Sequence, residues 1–441
     1  MIQKPKGTYD VNKEKGATIL YLEKLLASLM EKYHYEYVRT PIFESSDLFH
    51  RGVGETTDIV SKETYDFKDR GDRNMTLRPE GTAGVVRSFI ENKMYGDANQ
   101  PVKTWYYGPM YRYERPQAGR FREFYQFGVE VFGSSDPMMD AEVISIPVNF
   151  YRLLGLKGIK VHINSLGDLE SRMNYRQALL DYLKPHLHEL CDDCKNRYET
   201  NPLRILDCKI DGVKEIVKNA PTVLDYLNEE SKEHFEKVKQ YLEAMGIEYV
   251  VTPNLVRGLD YYTHTVFEVE ASVSGFGSQN VLCGGGRYDK LVETIGGPST
   301  PGVGFALGME RLLAALEFEQ IHLDTIEPLD AYIIPVSEST KTEAMGLVQA
   351  LRLSGFNVDT DYMNRSIKSN FKASDRMHAN YIILIGEDEV KSNILTVKDN
   401  QTKEEFKVAL KDIIDFLDGT EEDECDCGCD HECHCHHEGE E

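Results

Sequence analysis

The stretch from Thr104 to Gly133 constrains the fold of this chain more than any other. Two runs rich in aromatic and β-branched residues, "TWYYGPMYRYE" and "FREFYQFGVEVFG", flank the turn-forming "RPQAG". Runs of this kind around Pro and Gly predict a long antiparallel β-hairpin.

One face of this hairpin carries an unusual set of polar side chains. Because side chains alternate faces along a strand, the two strands would bring together one group of residues. They are Met110, Arg112, Glu114, Arg122, Phe124, Gln126, Gly128 and Glu130. Gly128 would keep the middle of this face low, so that a ligand can approach the backbone. Guanidinium groups bind phosphate oxygens, and an aromatic ring can stack on a base. The face indicates a nucleotide site, and the alternative is a salt-bridge lattice on a solvated sheet.

A glycine-rich strand favours the nucleotide. In "GVGFALGMERLLAAL", Gly302, Gly304 and Gly308 line a predicted strand, and Arg311 follows at the start of a helix. Small residues permit the close approach of a ligand to the backbone, and the arginine can bind a phosphate or cap a base. By itself such a strand would indicate only tight packing.

The bulk composition excludes several classes of protein. Charged residues make up 28% of the 441, as in ordinary globular proteins. No apolar run reaches the ~20 residues that span a bilayer, and "MIQKPKGTYD" lacks a signal-peptide core. We therefore expect a cytoplasmic protein with no membrane partner. The net charge of −24 argues against a surface coated in nucleic acid, but it permits a local basic groove.

The chain divides into segments of different character. Residues 17–34 have the apolar spacing of an amphipathic helix, and Pro41 interrupts the strand that follows. We expect a domain formed by residues 1–167 and 253–325, interrupted by a helical insertion at 168–252. Residues 328–418 alternate strands and helices and predict an α/β domain. Residues 420–441 form a low-complexity acidic tail, which we expect to be disordered.

The ordered motifs resemble those of a known family. The strand with Pro41, the hairpin and "GVGFALGMERL" are similar to the three motifs of class II aminoacyl-tRNA synthetases. "LRPEGT", "RGLDYY" and "GGGRYD" narrow the resemblance to the histidyl-tRNA synthetases, over residues 1 to about 418. This resemblance implies an α+β fold, with an antiparallel sheet flanked by helices, the insertion, and an α/β anticodon-binding domain. It also implies a homodimer formed through the region of Pro41.

The resemblance also implies an activity. Such an enzyme uses ATP to ligate L-histidine to its cognate tRNA(His) through a histidyl-adenylate, and it releases pyrophosphate and AMP. Mg²⁺ would neutralise the triphosphate. Positioning and charge stabilisation can supply the acceleration, so a catalytic triad is not required.

The residues implied for ATP cluster on the hairpin. Arg112 would contact the α-phosphate, and Glu114 would lie near the adenine amino group. Arg120 and Arg311 would hold the outer phosphates, while Phe124 and Arg311 would enclose the adenine. Together with Arg257, Arg112 would be catalytic.

The residues implied for histidine come from several motifs. Three would hold its amino group: Glu80, Thr82 and Gln126. Glu130 and Tyr262, with Tyr261 nearby, would contact the imidazole, whose two nitrogens can donate and accept. Arg257 would approach the carboxylate and the α-phosphate. Gly284, Gly285 and Gly286 would shape the pocket.

A basic stripe is the candidate contact with tRNA. Arg365, Lys368, Lys372 and Arg376 are spaced to share one helix face. In an anticodon-binding domain this face would contact phosphates, and otherwise it is a solvated surface. The resemblance places the helical insertion at the acceptor arm.

Two groups of cysteines raise the question of metals. Cys191, Cys194 and Cys208 could supply three thiolates, with His186 or His188 as a fourth ligand; the alternative is reduced cysteines in a helical domain. The tail offers Cys425, Cys427, Cys429, Cys433 and Cys435 beside four histidines, which predicts adventitious or regulatory binding of a transition metal.

Two other functions remain to be weighed. One is the histidine-sensing paralogue that regulates histidine biosynthesis without ligase activity, although it lacks an anticodon-binding domain. The other is a metal store, suggested by the tail.

Overall fold

The computed structural model describes residues 1–54, 57, 59–117, 119–206, 208–259, 261–271, 280–323, 325 and 327–419. The chain forms two compact units, Met1–Thr325 and Ile326–Glu441. Among the described residues, we find no helix with both the length and the apolar character needed to cross a membrane.

The first unit contains ten α-helices and eleven strands in its described part. In chain order they are α1 (Lys13–Tyr33), β1 (Glu36–Tyr37), β2 (Phe43–Ser45), α2 (Ser46–Val53), β3 (Tyr65–Lys68), β4 (Asn74–Leu77), α3 (Thr82–Glu91), β5 (Val102–Tyr111), β6 (Glu123–Phe132), α4 (Pro137–Leu153), β7 (Ile159–Ser165), α5 (Leu169–Leu183), α6 (Asp192–Thr200), α7 (Glu215–Lys218), α8 (Glu229–Ala244), β8 (Tyr249–Val251), β9 (Thr263–Ala271), β10 (Val281–Arg287), α9 (Leu291–Ile295), β11 (Gly302–Gly308) and α10 (Met309–Phe318).

An eight-stranded sheet organises this unit. Its strand order is β1-β5-β6-β11-β10-β9-β7-β8, and every pairing is antiparallel except β1–β5 and β7–β8. Apolar residues of α1, α4, α8 and α10 pack with buried residues of the sheet to form the largest core. The predicted α+β fold, an antiparallel sheet flanked by helices, is confirmed.

The predicted hairpin is the pair β5–β6, with ten residues in each strand. Its strands end earlier than the sequence suggested, so Arg112, Glu114 and Arg122 lie in the connection. The ladder gains one further hydrogen bond, from Arg112 N to Arg122 O at 3.0 Å. The expected shared face is therefore wrong for Arg122, whose guanidinium stacks 3.9 Å from the ring centroid of Tyr113.

The segment predicted as a helical insertion is mostly helical. It contains α5 to α8 and three 3₁₀ helices, at Lys184–Glu189, Pro202–Ile205 and Val223–Tyr226. Its end returns to the sheet, because β8 pairs in parallel with β7. The β-branched pair Val250 and Val251 is the sequence signal for this short edge strand.

The second unit is an α/β fold around a five-stranded sheet. Its elements are β12 (Ala331–Pro335), α11 (Lys341–Leu353), β13 (Val358–Thr360), α12 (Ile367–Arg376), β14 (Tyr381–Ile385), α13 (Glu387–Ser392), β15 (Ile394–Asp399), β16 (Glu405–Ala409) and α14 (Ile413–Asp418). The strand order is β13-β12-β14-β15-β16, parallel for the first three strands and antiparallel for the last two pairings. The α/β character predicted for this part of the chain is confirmed.

A buried ion pair joins β10 to α4. Arg287 is 1% exposed and Asp140 is fully buried, and the guanidinium donates to both carboxylate oxygens. Burial alone would raise the pKa of Asp140, but Arg287 and then His234 hold it well below its ordinary value. The pair fixes the end of β10 against the helix that covers the sheet.

Removing one partner of this pair should be costly. We expect Arg287→Met to lower the free energy of unfolding by about 3–5 kcal/mol, because the buried carboxylate of Asp140 would lose its guanidinium partner and keep the weaker contact with His234, at 3.4 Å. The double variant Arg287→Met/Asp140→Leu should recover much of that loss. Denaturation followed by the fluorescence of Trp105, the only tryptophan, measures both.

The matched control is Arg73→Met. Arg73 also pairs with an aspartate, Asp69, but its side chain is 78% exposed, so the loss of stability should be much smaller than that of Arg287→Met. Equal losses for the two single variants would contradict the argument from burial.

Candidate active site

A polar cleft of about 440 Å³ opens on the large sheet. Most of the residues that the motifs single out line it together. They are Glu80, Thr82, Arg112, Glu114, Arg120, Phe124, Gln126, Arg257, Tyr261, Tyr262, Gly284 and Arg311. Two further predicted residues, Glu130 and Gly285, are buried in the strands β6 and β10 that form part of its wall.

One part of the cleft is crowded with guanidinium groups. Arg112 lies 5.1 Å from the ring centroid of Phe124, and its Nε donates to Pro79 O at 2.9 Å. Arg120 donates to Glu114 Oε2 at 3.1 Å. Arg311 donates to Val281 O at 2.8 Å. Burial, and then the nearby charges of Arg120 and Arg112, lower the pKa of Arg311. A polyanion would relieve this repulsion.

A fourth arginine lies over the glycines of β10. Arg257 forms an ion pair with Glu268 of the adjacent strand β9. A side chain at Gly284 would collide with its guanidinium group, so only glycine leaves room for it. Burial disfavours the charge on Arg257, but the carboxylate of Glu268 raises its pKa. The Nε of Arg257 is buried and has no hydrogen-bond partner among the described residues.

A buried carboxyl group lies beneath the other part of the cleft. Glu130 is fully buried, and it accepts hydrogen bonds from Thr82 Oγ1, at 2.7 Å, and from the Tyr288 hydroxyl. Burial raises the pKa of Glu130 to about 8, because its effect exceeds that of these hydrogen bonds, which lower the pKa. A Cβ at Gly304 would collide with Glu130, so the glycine of β11 makes the space for this carboxyl group.

The turn before α3 arranges the neighbouring polar groups. Glu80 accepts hydrogen bonds from the backbone N–H groups of Thr82, at 2.7 Å, and Ala83, at 2.8 Å, at the start of the helix. Burial raises the pKa of Glu80. Gln126 Oε1 is buried without a hydrogen-bond partner among the described residues. Gln126, which lines the same cleft from β6, therefore leaves an acceptor for a small polar ligand.

Two tyrosines form the wall beside Arg257. The rings of Tyr261 and Tyr262 lie 4.7 Å apart, and burial raises the pKa of both hydroxyls. Both therefore remain neutral hydrogen-bonding groups at physiological pH.

Among the residues of this cleft that sequence reasoning missed, three have polar side chains with hydrogen-bond or ion-pair partners. Tyr288 bonds to Glu130, Glu268 pairs with Arg257, and Glu310 accepts from the Tyr9 hydroxyl at 2.7 Å. Tyr288 lies inside "GGGRYD", and Glu268 alternates with apolar residues on β9, so both carried a signal. Tyr9 carried none, because 301 residues separate it from Glu310.

The role expected of Gly128 also needs correction. We expected this glycine to leave space for a ligand. In the structure a Cβ at Gly128 would collide with Tyr106, its register partner on β5. Gly128 therefore makes room for a buried tyrosine ring.

The other predicted sites lie elsewhere in the chain. On α12, Lys368, Lys372 and Arg376 are exposed. Arg365 precedes this helix and pairs with Asp361 at 3.1 Å, so its predicted place on the helix is wrong. The tail cysteines (Cys425, Cys427, Cys429, Cys433 and Cys435) lie outside the described residues.

Comparison with known proteins finds relatives of this chain over nearly its whole length. The family model for histidyl-tRNA synthetase matches residues 7–312, and that for an anticodon binding domain matches residues 330–420. The histidine–tRNA ligase of Anoxybacillus flavithermus (strain DSM 21510 / WK1) is 55% identical over 94% of this chain and 98% of its own length. The histidine–tRNA ligase of Geobacillus sp. (strain WCH70) is 54% identical, also over 94% of this chain and 98% of its own length.

A solved structure extends the similarity to the fold. The crystal structure of apo S. aureus histidyl-tRNA synthetase superposes with a TM-score of 0.81 at 45% identity, covering 95% of this chain and all of that one. The family model spans more than half of the chain, and the two relatives match nearly all of it. On these grounds the chain belongs to the histidyl-tRNA synthetase family.

Proposed function

We propose that the cleft binds ATP and L-histidine side by side, joins them as histidyl-adenylate, and transfers the histidyl group to tRNA(His). The observation that carries this proposal is the pairing, in one cleft, of a cluster of arginines with a pocket built on Glu130. The first suits a triphosphate and the second suits an imidazole. Family membership supports the same activity.

ATP occupies the part of the cleft with the guanidinium groups. Arg112 contacts the α-phosphate, while Arg120 and Arg311 hold the outer phosphates. Phe124 and Arg311 enclose the adenine, and Glu114 lies near its amino group. A guanidinium group can donate two parallel hydrogen bonds to phosphate oxygens. When ATP binds, each arginine would donate to a phosphate oxygen in place of its present protein acceptor. Mg²⁺ would arrive bound to the phosphates of ATP. Glu114 and Glu310 carry carboxylates, which are ligands that Mg²⁺ prefers.

Histidine occupies the part built on Glu130. Its imidazole donates to Glu130 and accepts from Tyr262, with Tyr261 packed beside them. Its amino group is held by Glu80, Thr82 and Gln126. The side-chain oxygen of Gln126 is an available hydrogen-bond acceptor. Buried polar groups of this kind reject side chains that would leave them unpaired.

Arg257 lies where the two substrates meet. The carboxylate oxygen of histidine attacks the α-phosphorus of ATP in line, a new O–P bond forms, and the bond to the departing pyrophosphate breaks. Arg257 and Arg112 neutralise the two anions that must approach each other. A terminal hydroxyl of tRNA then attacks the activated carbonyl, and AMP leaves. Each step relies on positioning and charge.

Exposed basic residues provide the contact with tRNA. Lys368, Lys372 and Arg376 on α12 contact anticodon-arm phosphates, and the helical insertion contacts the acceptor arm. The overall acidic charge of the chain does not oppose this, because local charge governs the contact.

We also propose a homodimer that works in the cytoplasm. Apolar side chains around Pro41 are unusually exposed: Tyr37, Ile42, Phe43 and Phe67 are each 42–53% accessible. The rings of Phe43 and Phe67 lie 6.1 Å apart, and exposed apolar side chains that lie together favour an interface. A histidine-sensing regulatory paralogue has less support, because the chain carries the anticodon-binding match and its relatives at 51–55% identity are named ligases.

The direct test is ATP–pyrophosphate exchange with each amino acid in turn. We expect exchange with histidine alone, and charging of tRNA(His) transcripts. A regulatory paralogue would bind histidine but support neither reaction, so binding without exchange would contradict the proposal.

The role of Arg257 can be separated from its structural pairing. We expect Arg257→Ala to lower the rate of adenylate formation by about 100-fold or more, since it removes a donor to the transition state. Because that variant leaves Glu268 unpaired, the double variant Arg257→Ala/Glu268→Gln is measured beside it. Both should be equally slow in single-turnover assays. Recovery in the double variant would show that Arg257 acts only by neutralising Glu268.

Histidine binding should depend on pH through Glu130. Its pKa of about 8 means that the free enzyme carries a proton there at neutral pH, whereas a bound imidazole N–H needs the ionised form. Affinity should therefore rise about fivefold as pH increases from 7 to 8, and it should level off about one pH unit higher, at roughly tenfold above the value at pH 7. Calorimetry in buffers of different ionisation enthalpy should detect proton release. Glu130→Gln should lose both effects; an unchanged profile would contradict the assignment.

The basic stripe should affect tRNA binding alone. We expect Lys368→Glu/Lys372→Glu to weaken tRNA(His) binding about tenfold and to reduce its salt dependence, because phosphate contacts are lost. Pyrophosphate exchange should stay at the wild-type rate. The control, Lys391→Glu/Lys411→Glu, makes the same charge change at two other exposed lysines of this unit. Equal weakening by both variants would point to a general charge effect.

A further inference from the structure

Four potential metal ligands meet in the helical insertion, away from the cleft. They are Cys191, Cys194, Cys208 and Asp211, and their ligand atoms all lie within 4.8 Å of one another. Cys194 and Asp211 are fully buried, and Cys208 is 8% exposed. The two histidines considered from the sequence are not members of this described cluster, and His186 Nδ1 lies 2.8 Å from Glu189 Oε1 instead.

The spacing of the sulfurs matches a tetrahedral ion. Cys191 Sγ and Cys208 Sγ lie 3.9 Å apart. Two thiolates at about 2.3 Å from a tetrahedral Zn²⁺ would be about 3.8 Å apart, whereas a disulfide requires about 2.05 Å. The thiols are free, and the separation of Cys191 and Cys208 is close to that of two ligands of one ion.

Backbone hydrogen bonds hold the ligands in place. Cys191 N donates to Asp211 Oδ2 at 2.9 Å, and Asp211 N donates to Cys208 Sγ at 3.4 Å. A Cβ at Gly212 would lie 2.6 Å from Cys208 O, so the turn that brings Asp211 back to Cys208 requires glycine. The cluster thus joins two short motifs, CxxC and CxxD, each with two intervening residues.

The charges around the cluster favour a divalent cation. Three thiolates and one carboxylate, if ionised together, would repel one another strongly in a buried site. A divalent ion offsets part of this charge. Lys214 Nζ, 2.7 Å from Asp211 Oδ1, offsets a further part. Thiolate ligands select zinc over the hard ions Mg²⁺ and Ca²⁺.

We propose that Cys191, Cys194, Cys208 and Asp211 bind one Zn²⁺ as a closed, structural site. The ion would tie the start of α6 to the turn that follows the 3₁₀ helix Pro202–Ile205. All four positions of a tetrahedral ion are then filled by the protein, so it has no open position for catalysis. This site goes beyond the proposed ligase function, which does not require it.

The tail also contains thiols, and the experiment must exclude them. We therefore use the full-length chain with Cys425, Cys427, Cys429, Cys433 and Cys435 replaced by serine. The reduced protein is titrated with Co²⁺ alone and then with Zn²⁺. Bound Co²⁺ gives near-ultraviolet charge-transfer bands when its ligands are thiolates, and visible bands that report tetrahedral geometry. The histidines that remain in the tail cannot produce the charge-transfer bands.

We expect one equivalent of Co²⁺ to give both sets of bands and Zn²⁺ to displace it. Cys194→Ser should remove about a third of the charge-transfer intensity and weaken binding at least about tenfold, since even outer-shell changes can cost that much. Asp211→Asn should change the visible bands and keep the thiolate bands. The control Cys283→Ser, at a buried cysteine outside the cluster, should leave the spectra unchanged.

A chain that stays folded by circular dichroism but gives no thiolate bands would overturn the proposal, as would an unchanged titration in Cys194→Ser. If that variant does not fold, alkylation of the parent chain decides instead. Zn²⁺ should protect Cys191, Cys194 and Cys208 from iodoacetamide, as read by peptide mass spectrometry, and equal labelling with and without Zn²⁺ would overturn the proposal.

Discussion

The active cleft depends on the close approach of large polar side chains to the backbone of three adjacent strands. Gly284 on β10 leaves room for Arg257, Gly304 on β11 leaves room for Glu130, and Gly128 on β6 leaves room for Tyr106. Any side chain at these positions would collide with the group above it. Because glycines occupy these three positions, the sheet can hold large polar groups on this face while its other face packs an apolar core.

The parts of this design that follow local rules could be predicted from the sequence. The β5–β6 hairpin is fixed by aromatic runs around a turn, and the α/β character of the second unit is fixed by its alternating pattern. The motifs in order identified most of the residues that line the cleft. The predicted ends of the two strands were wrong. The first strand ends at Tyr111 and the second begins at Glu123, so Arg122 lies outside the strands and packs on Tyr113. Side-chain stacking in a connection overrides strand alternation.

Contacts between residues distant in sequence could not be predicted. Glu310 meets Tyr9, Arg287 meets Asp140, and Asp211 completes a group of cysteines for which the sequence had suggested a histidine. No periodicity links such partners, because tertiary packing alone brings them together. The CxxC pair drew attention to thiols, but an aspartate among many acidic residues gives no comparable signal until the turn at Gly212 is seen.

The order of the cleft's residues along the chain has a consequence for synthesis on the ribosome. Glu80 to Glu130 are made first, the helical insertion follows, and Arg257, Gly284 and Arg311 come last. Strands β11 and β10 complete the sheet next to β6 only after the insertion has been made. A nascent chain that ends before Arg257 therefore lacks both the glycines of β10 and β11 and two of the four arginines of the cleft. The cleft can therefore be completed only after β10, β11 and the start of α10 have been made.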